Sequence, residues 1–275
     1  MKLASSVAKT KAYGSYFNFP LSPEETHYWL IASRLVSFAS LKKYLLPLTP
    51  KENTQKNTLL QYTLQKEKFA QEIYKIARFI PFIRLIALTG SVAANNSRKN
   101  DDLDLLIVTD TNTLWLVRPI FLLFLSLGFN RRHPGDNPYK VSNAFCPNLW
   151  LDTKSLSIPL SRRNLYTAHE VLQVKPILDR GYTHARFIKA NSWTKHYLAN
   201  AYSSLSKIKA ENPVIPSKVV IYTNLLIPLN LIAFILQYLY MLPKKTTETV
   251  TLHSAFFHKS NPSDKLFNYL KNNSL

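Results

Sequence analysis

Two short apolar runs, separated by a polar stretch, constrain the fold of this chain more than any other feature. The first covers residues 82–90 and stops at a glycine, and the second covers residues 103–110 and follows a pair of aspartates. Runs of this length that are apolar almost throughout are typical of buried β-strands. We therefore expect two buried strands, the second of which begins at a group of carboxylates.

The spacing of these carboxylates predicts that they act together. In a strand, residues i and i+2 point to the same face, so Asp102 and Asp104 should project together, whereas Asp101 should face away. Two neighbouring carboxylates repel each other unless a cation lies between them. Mg²⁺ suits such a pair because it takes hard oxygen ligands and keeps waters that a phosphate can replace. The alternative, a solvated hairpin rich in Asn, Asp and Lys, does not explain why the carboxylates flank an apolar strand.

Gly90 and Ser91 close the first apolar run, where we expect the strand to turn into a helix. Glycine allows the backbone to approach a phosphate closely. A serine hydroxyl and free backbone N–H groups at a helix N-terminus favour an anion. A triphosphate could then bridge the Gly-Ser turn and a metal ion held by the two aspartates.

The stretch LTGSVAANNSRKNDDLDLLIVTD (88–110) resembles the nucleotidyltransferase superfamily that includes DNA polymerase β. Members of that superfamily have a strand, a Gly-Ser turn, about ten residues and then Asp-x-Asp on the next strand. The resemblance covers residues 82–152, and the chain also resembles bacterial nucleotidyltransferase-domain proteins over most of its length, including residues 162–181. It implies an α+β protein with a minimal nucleotidyltransferase core, which is a short mixed sheet with helices.

The resemblance also implies a third carboxylate on a later strand. Asp152, at the end of the apolar run FCPNLWLD, is the best candidate, because Asp110 lies at the far end of its own strand. Asp102, Asp104 and Asp152 would then be the catalytic residues and the metal ligands, and their carboxylates should converge on one or two ions.

The implied activity is transfer of a nucleoside monophosphate from an NTP, with loss of pyrophosphate. The cofactor would be Mg²⁺ or Mn²⁺, the NTP would be ATP in the first instance, and Gly90 and Ser91 would bind its phosphates. A nucleic acid, a protein hydroxyl and a small molecule all remain open as the acceptor. The alternative is a catalytically silent protein that binds nucleotides or nucleic acid on the same core, and convergence of Asp152 with the pair discriminates between the two.

The charge balance points to polyanionic partners. The formal net charge is +19, and residues 118–195 contain twelve Lys or Arg against four Asp or Glu. Nucleic acid, nucleotides and an anionic membrane face all fit this balance, and so does a generally basic proteome. The single cysteine, Cys146, excludes an intrachain disulfide and a multi-cysteine zinc site. The first residues lack the apolar core of a signal peptide, so we expect a cytoplasmic protein.

Prolines that interrupt the periodic apolar segments divide the chain into three parts. Residues 1–50 are predicted to form a small helical module, and residues 12–30 within it resemble the opening of a winged-helix domain. Residues 51–160 are predicted to form the core, with a lead-in helix over 53–79. Residues 161–275 are predicted to form a helical domain.

An uncharged apolar run, residues 219–243, is long enough to span a bilayer. Asn224, Asn230 and Gln237 argue against a span, because polar groups in lipid are costly unless they are paired. We favour a helix that is buried or peripheral. A contact with a membrane surface and a homodimer interface through this run both stay open.

His169 and Glu170 are adjacent in an amphipathic segment, residues 166–178. Neighbouring residues on a helix do not face each other, so a packing role is favoured over a joint acid–base role.

Overall fold

The computed structural model describes residues 3–133, 136–137, 141–208, 222–257 and 263–273. Six strands form one mixed sheet at its centre: β1 (Ile83–Leu88), β2 (Leu103–Thr109), β3 (Phe145–Asp152), β4 (Lys175–Asp179), β5 (Thr249–Val250) and β6 (Ser254–Phe256). Their order across the sheet is β4-β1-β2-β3-β6-β5. Strands β2 and β3 run parallel, and every other neighbouring pair is antiparallel. The predicted α+β class is confirmed, and so are the three strands expected at β1, β2 and β3.

Helices pack on both faces of this sheet. In chain order they are α1 (Leu3–Tyr16), α2 (Pro23–Tyr28), α3 (Phe38–Leu41), α4 (Pro50–Ala70), α5 (Tyr74–Ala77), α6 (Gly90–Ala93), α7 (Leu114–Gly128), α8 (Leu165–Gln173), α9 (Thr183–Ala190), α10 (Ala199–Leu205), α11 (Ile227–Met241) and α12 (Ser263–Asn273). Buried side chains of α5 and α7, with partly buried side chains of α11, share one apolar core. Those of α8, α9 and α10 share the other.

The two cores divide strand β2 by alternation. Leu105 and Ile107 belong to the α7 core, whereas Leu106 and Val108 belong to the α8 core. Since side chains two apart share a face, Asp104 projects toward the α8 side of the sheet. The acidic start of β2 therefore faces the C-terminal helices.

The C-terminal part of the chain is not wholly helical, which corrects the prediction for residues 161–275. It contributes β4, β5 and β6 to the sheet, and β4 pairs with β1. Helix α8 stops at Gln173, three residues before Pro176, whose missing N–H and fixed φ suit an edge strand. Within this part, helices α9 and α10 are separated by a 3₁₀ segment at Ser192–His196.

Helix α2, in the N-terminal part of the chain, begins with a capping box. Ser22 accepts a hydrogen bond from the Glu25 N–H, and the Glu25 carboxylate accepts one from the Ser22 N–H at 2.9 Å. This reciprocal capping box satisfies two donors that the first turn would otherwise leave free. Residues 3–50 contain no strand, only one isolated bridge between Ala32 and Leu198, so the β-hairpin wing of a winged helix is not formed there.

Helix α11 lies on the surface, against α7. Asn230 accepts a hydrogen bond from the Trp115 N–H at 2.9 Å, and Gln237 donates to the Trp115 carbonyl at 2.7 Å. These contacts satisfy two of the polar groups in the apolar run. Residues 219–221 lie outside the described part of the chain.

The opposite side of α11 is exposed, so the helix is peripheral rather than buried. Asn230 is its only buried residue, and Leu236 is 64% exposed. Among the described residues, none of the helices combines the length and the hydropathy that crossing a bilayer requires. The contact with a membrane surface or a second copy stays a prediction.

Candidate active site at the β1–β2 hairpin

The turn after β1 brings Gly90 against the first acidic residues of β2. The Thr89 N–H donates to the Asp104 carbonyl at 3.0 Å, which closes the hairpin at this point. Gly90 has a φ of +62°, and a Cβ added there would overlap the Asp104 carboxylate. Glycine is thus required twice, by its backbone conformation and by the close approach of a carboxylate. The group that approaches Gly90 closely in the structure is the Asp104 carboxylate, and the approach of a phosphate stays a prediction.

Ser91 stabilises the loop that leads into β2. Its hydroxyl donates to the Asp101 carboxylate at 2.8 Å, and the same carboxylate accepts from the Arg98 N–H at 2.9 Å. Asp101 is thus engaged by the loop and is not part of the group that Asp102 and Asp104 form. Helix α6, which begins at Gly90, is a single turn of four residues, so little of the predicted helix dipole is available there.

A buried lysine from α4 holds the same loop from the other side. Lys66 is 3% exposed, and its ammonium group donates to the Asp101 carbonyl at 2.6 Å and to the Asn143 side-chain oxygen at 2.8 Å. It also donates to the Lys99 carbonyl at 3.2 Å. Burial lowers the pKa of Lys66. The lysine fixes the backbone directly before Asp102 without touching the carboxylate itself.

Asp102, Asp104 and Cys146 form a compact group at the start of β2 and β3. One ligand atom from each lies within 4.8 Å of the others. In the parallel ladder Asp104 is directly opposite Cys146, and the Asn148 side-chain amide donates to the Asp104 carboxylate at 2.5 Å. The Arg132 guanidinium donates to the Asp102 carboxylate at 2.5 Å.

The electrostatics of this group favour a cation. Burial raises the pKa of the Asp104 carboxyl well above its ordinary value, and the Asp102 and Glu170 carboxylates raise it further, while Arg132 opposes the shift. Burial and the same two aspartates raise the pKa of the Cys146 thiol, which stays protonated and donates to Asp104. A bound cation would relieve the repulsion that produces these shifts.

The donor set suits a hard divalent ion. Two carboxylates supply oxygen ligands, and the buried side-chain oxygen of Asn148 has no hydrogen-bond partner among the described residues. Oxygen ligands with room for water are what Mg²⁺ and Mn²⁺ prefer, whereas a protonated thiol is a poor ligand. Asp102 and Asp104 could therefore hold Mg²⁺ if the ion replaced Arg132 as the partner of Asp102.

Asp152 is not part of this group, and its predicted convergence with Asp102 and Asp104 is wrong. It pairs in register with Thr109, five residues along β2 from Asp104, which corresponds to roughly 16 Å. Trp150 packs in the α7 core and Leu151 in the α8 core, so Asp152 projects to the opposite face from Asp104. This position follows from the parallel register of β3, which the sequence does not show.

Asp152 instead ties β3 to the turn before β6. It is fully buried, and its carboxylate lies 2.7 Å from the His253 ring nitrogen. It also accepts from the Asn112 and Lys154 N–H groups, at 3.3 and 3.0 Å. These contacts indicate a structural role.

A cavity of about 330 Å³ opens beside Asp104, between the sheet, the N-terminal module and α8. Gly90 and Ser91 line it together with Asp104, and Glu170 lines it from α8. The remaining wall is largely aromatic and comes from Tyr13, Phe17, Phe19, Trp29, Tyr166 and His169. None of the described residues that line it is a lysine or an arginine.

Glu170 is the site residue that sequence reasoning missed. Burial raises the pKa of its carboxyl to about 7, and the Tyr166 hydroxyl, which donates to it, opposes the shift. Its neighbour His169 packs instead, with its ring stacked on Tyr13 at 3.9 Å between centroids. Burial lowers the pKa of His169 to about 3, so the ring is neutral. The packing role predicted for the pair holds for His169, and the helical pattern alone could not show that Glu170 faces Asp104.

The basic residues of 118–195 are distributed over several surfaces. Arg132 pairs with Asp102, whereas Arg118 lies over the rings of Trp115 and Phe257 on the α7 side. Among the described residues, none of the lysines and arginines counted over 118–195 lines the cavity beside Asp104. This arrangement gives no support to a polynucleotide acceptor in that cavity.

Comparison of the chain with protein-family models, curated proteins and solved structures gives no match, so the site is interpreted from its own residues.

Proposed function

We propose that this chain is a nucleotidyltransferase that uses Mg²⁺ or Mn²⁺ to transfer a nucleoside monophosphate from an NTP to an acceptor hydroxyl. The observation that carries the proposal is the pair of carboxylates, Asp102 and Asp104, of which Asp104 lies against Gly90 and lines an aromatic cavity. Paired carboxylates on one strand with a glycine turn opposite are what a nucleoside triphosphate and its metal ion require.

In the proposed reaction, Asp102 and Asp104 hold the metal ion, and Gly90, which has no side chain, leaves room for the Asp104 carboxylate. A divalent cation, when bound, would stabilise negative charge on the triphosphate. The aromatic wall of the cavity would bind the nucleoside, because purine and pyrimidine rings stack on aromatic side chains. ATP is the nucleotide to test first.

Glu170 would receive the acceptor proton. As the acceptor oxygen bonds to the α-phosphorus, the bond from that phosphorus to pyrophosphate breaks, and the hydroxyl proton must move to a base. Glu170 faces the same cavity as Asp104, and its pKa of about 7 allows it to accept a proton near neutral pH. It would thereby take the place of the third carboxylate that Asp152 does not supply.

The second candidate is a protein that binds nucleotides, or nucleic acid, without transfer. Two observations favour it. Asp152 lies on the far face of the sheet, and Arg132 occupies Asp102 with an ion pair at 2.5 Å. An arginine in this position could pair with a nucleotide phosphate while the metal site stays unused.

The experiment that separates the candidates has two readouts. Binding of ATP is measured by calorimetry with Mg²⁺ or with EDTA, and transfer is measured with NTPs labelled on the α-phosphate in the presence of cell extract. The variants are Asp104→Asn and, as a charge-matched control on the surface, Asp136→Asn. We expect transfer to be lost in Asp104→Asn and kept in the control.

Each outcome decides between the candidates. ATP binding that needs Mg²⁺ and Asp104, together with a labelled acceptor, supports the transferase. ATP binding without a labelled acceptor supports the silent protein. Absence of ATP binding under both conditions excludes an ATP-dependent transferase and a protein that binds ATP without transfer.

A further inference from the structure

A second cavity, of about 360 Å³, adjoins the first and carries a different chemistry. Tyr166 and Glu170 line both cavities, so these two side chains form the wall between them. The walls of the second cavity are apolar over much of their area, with Leu149 from β3 and Phe187 from α9 among the lining residues. Its polar groups come from elements far apart in the sequence.

Arg162 is the one basic residue among the described residues that line this second cavity. Its guanidinium lies over the Phe256 ring, 4.6 Å from the centroid, and donates to the Thr249 hydroxyl at 2.5 Å. Within the described part of the chain, no carboxylate lies within ion-pair distance of it. Burial lowers the pKa of Arg162, because part of the guanidinium is removed from water.

Thr89 supplies an independent indication of a ligand. It is 5% exposed and lines the second cavity, and its side-chain hydroxyl has no hydrogen-bond partner among the described residues. A buried hydroxyl without a partner is costly and calls for a group that satisfies it. Because Thr89 directly precedes Gly90, the turn after β1 contributes Thr89 to the lining of the second cavity and Gly90 to that of the first.

We propose that the second cavity binds a small organic anion, whose phosphate or carboxylate group pairs with Arg162 and whose hydroxyl group hydrogen-bonds to Thr89. A planar guanidinium, held by a ring and a hydroxyl, is suited to either kind of anion. The cavity volume falls in the range of small-molecule sites, and its polar groups are few among apolar walls, as in such sites generally.

The anion would be the acceptor, and this role, unlike the binding itself, rests on the proposed function. Its hydroxyl oxygen would form the new bond to the α-phosphorus of the NTP in the first cavity, with pyrophosphate as the leaving group. The hydroxyl proton would pass to the Glu170 carboxylate, which both cavities share.

Binding is tested on the full chain in EDTA, at physiological ionic strength, by calorimetry. The probes are inorganic phosphate, glycerol 3-phosphate and 4-hydroxybutyrate, which separate a phosphate group from a carboxylate group. The variants are Arg162→Gln, Arg162→Lys and Thr89→Val. We expect at least one probe to bind the wild type and to bind Arg162→Gln about tenfold more weakly, because a charged hydrogen bond is lost. Arg162→Lys should recover part of the affinity, and Thr89→Val should weaken the hydroxylated probes but not inorganic phosphate.

The controls address the strong positive charge of the chain. Lys154→Gln removes one charge at an exposed position, and Arg163→Gln removes one from the neighbouring arginine, which lies over Trp193 rather than in the cavity. Both should bind the probes as the wild type does. Melting without ligand shows whether each variant is folded.

Two results overturn the anion site: none of the three probes binds, or all variants and controls bind equally. If a probe binds through Arg162 but receives no label from ATP and Mg²⁺, the acceptor role fails and the anion site stands. If another acceptor is labelled equally by wild type and Arg162→Gln, the anion is not the acceptor and the proposed function stands.

Discussion

The substitution Glu170→Gln should change how the stability of this protein depends on pH. The pKa of Glu170 rises from an ordinary value of 4.5 to about 7 because the carboxyl is buried. At about 1.4 kcal/mol per unit, this rise corresponds to roughly 3 kcal/mol. Glu170 lines two cavities that admit solvent, so we expect about 2 kcal/mol after screening.

The direction of this pH dependence follows from the protonation of Glu170 in the folded and in the unfolded protein. Below pH 4.5 the carboxyl is protonated in the folded and in the unfolded chain, so its favourable contribution is complete. As the pH rises toward 7, the unfolded chain ionises while the folded protein keeps the proton, and stability is lost. Glutamine has no proton to lose, so the variant should escape this loss.

The assay is urea unfolding of wild type and variant from pH 4 to pH 8, in EDTA so that no cation binds beside Asp104. The free energy of unfolding of the variant, minus that of the wild type, should increase by about 2 kcal/mol across this range. The control Glu72→Gln changes a carboxylate on the surface, where the side chain is 45% exposed, and its difference should stay flat. A flat difference for Glu170→Gln as well would refute the claim that burial holds this carboxyl neutral.

Three further substitutions test the hairpin that carries the site. In urea unfolding, Gly90→Ala should lower the free energy of unfolding by about 2 kcal/mol or more, because φ is positive and the new Cβ overlaps Asp104. The control Gly128→Ala, in α7, should change this free energy by less than about 1 kcal/mol. Lys66→Met should lower the free energy of unfolding by about 2 kcal/mol in the same assay, because the Lys99 and Asp101 carbonyls lose their donor. It should also weaken Mg²⁺ binding in calorimetry, and an unchanged Mg²⁺ affinity would contradict the role of Lys66 in holding the loop before Asp102. Asp104→Asn should melt no lower than wild type in EDTA but should lose any Mg²⁺-dependent rise in melting temperature; a much lower melting point in EDTA would make the residue a structural hydrogen-bond acceptor.

Sequence patterns over a few residues were sufficient to predict the part of the site that residues 82–110 supply. The apolar runs predicted β1 and β2, and the two-residue period predicted that Asp102 and Asp104 lie together, apart from Asp101. Backbone geometry over a few residues decides where these strands lie and which aspartates lie together. It also decides the position of Gly90 at the turn after β1. The capping box at the start of α2 was predictable for the same reason.

Only the tertiary structure decided which residues join Asp104 from elsewhere. The parallel register of β3 places Cys146 and Asn148 beside Asp104 and carries Asp152 to the other end and the other face of the sheet. A parallel neighbour is reached through a long connection, so no local turn sets its register, and the acidic residue at the end of the run was a natural but wrong choice.

Only the tertiary structure decided the position of Glu170 and of the cavity walls as well. Amphipathicity predicts that α8 packs, but the direction of each side chain depends on how the helix is docked on the sheet. Strand β4 could not be predicted either, because it exists only as the partner of β1. The sequence by itself therefore determined the acidic pair and its glycine turn. Packing between segments far apart in the chain decided the third acid, the aromatic pocket and the arginine-lined cavity, because contacts of that range leave no local pattern.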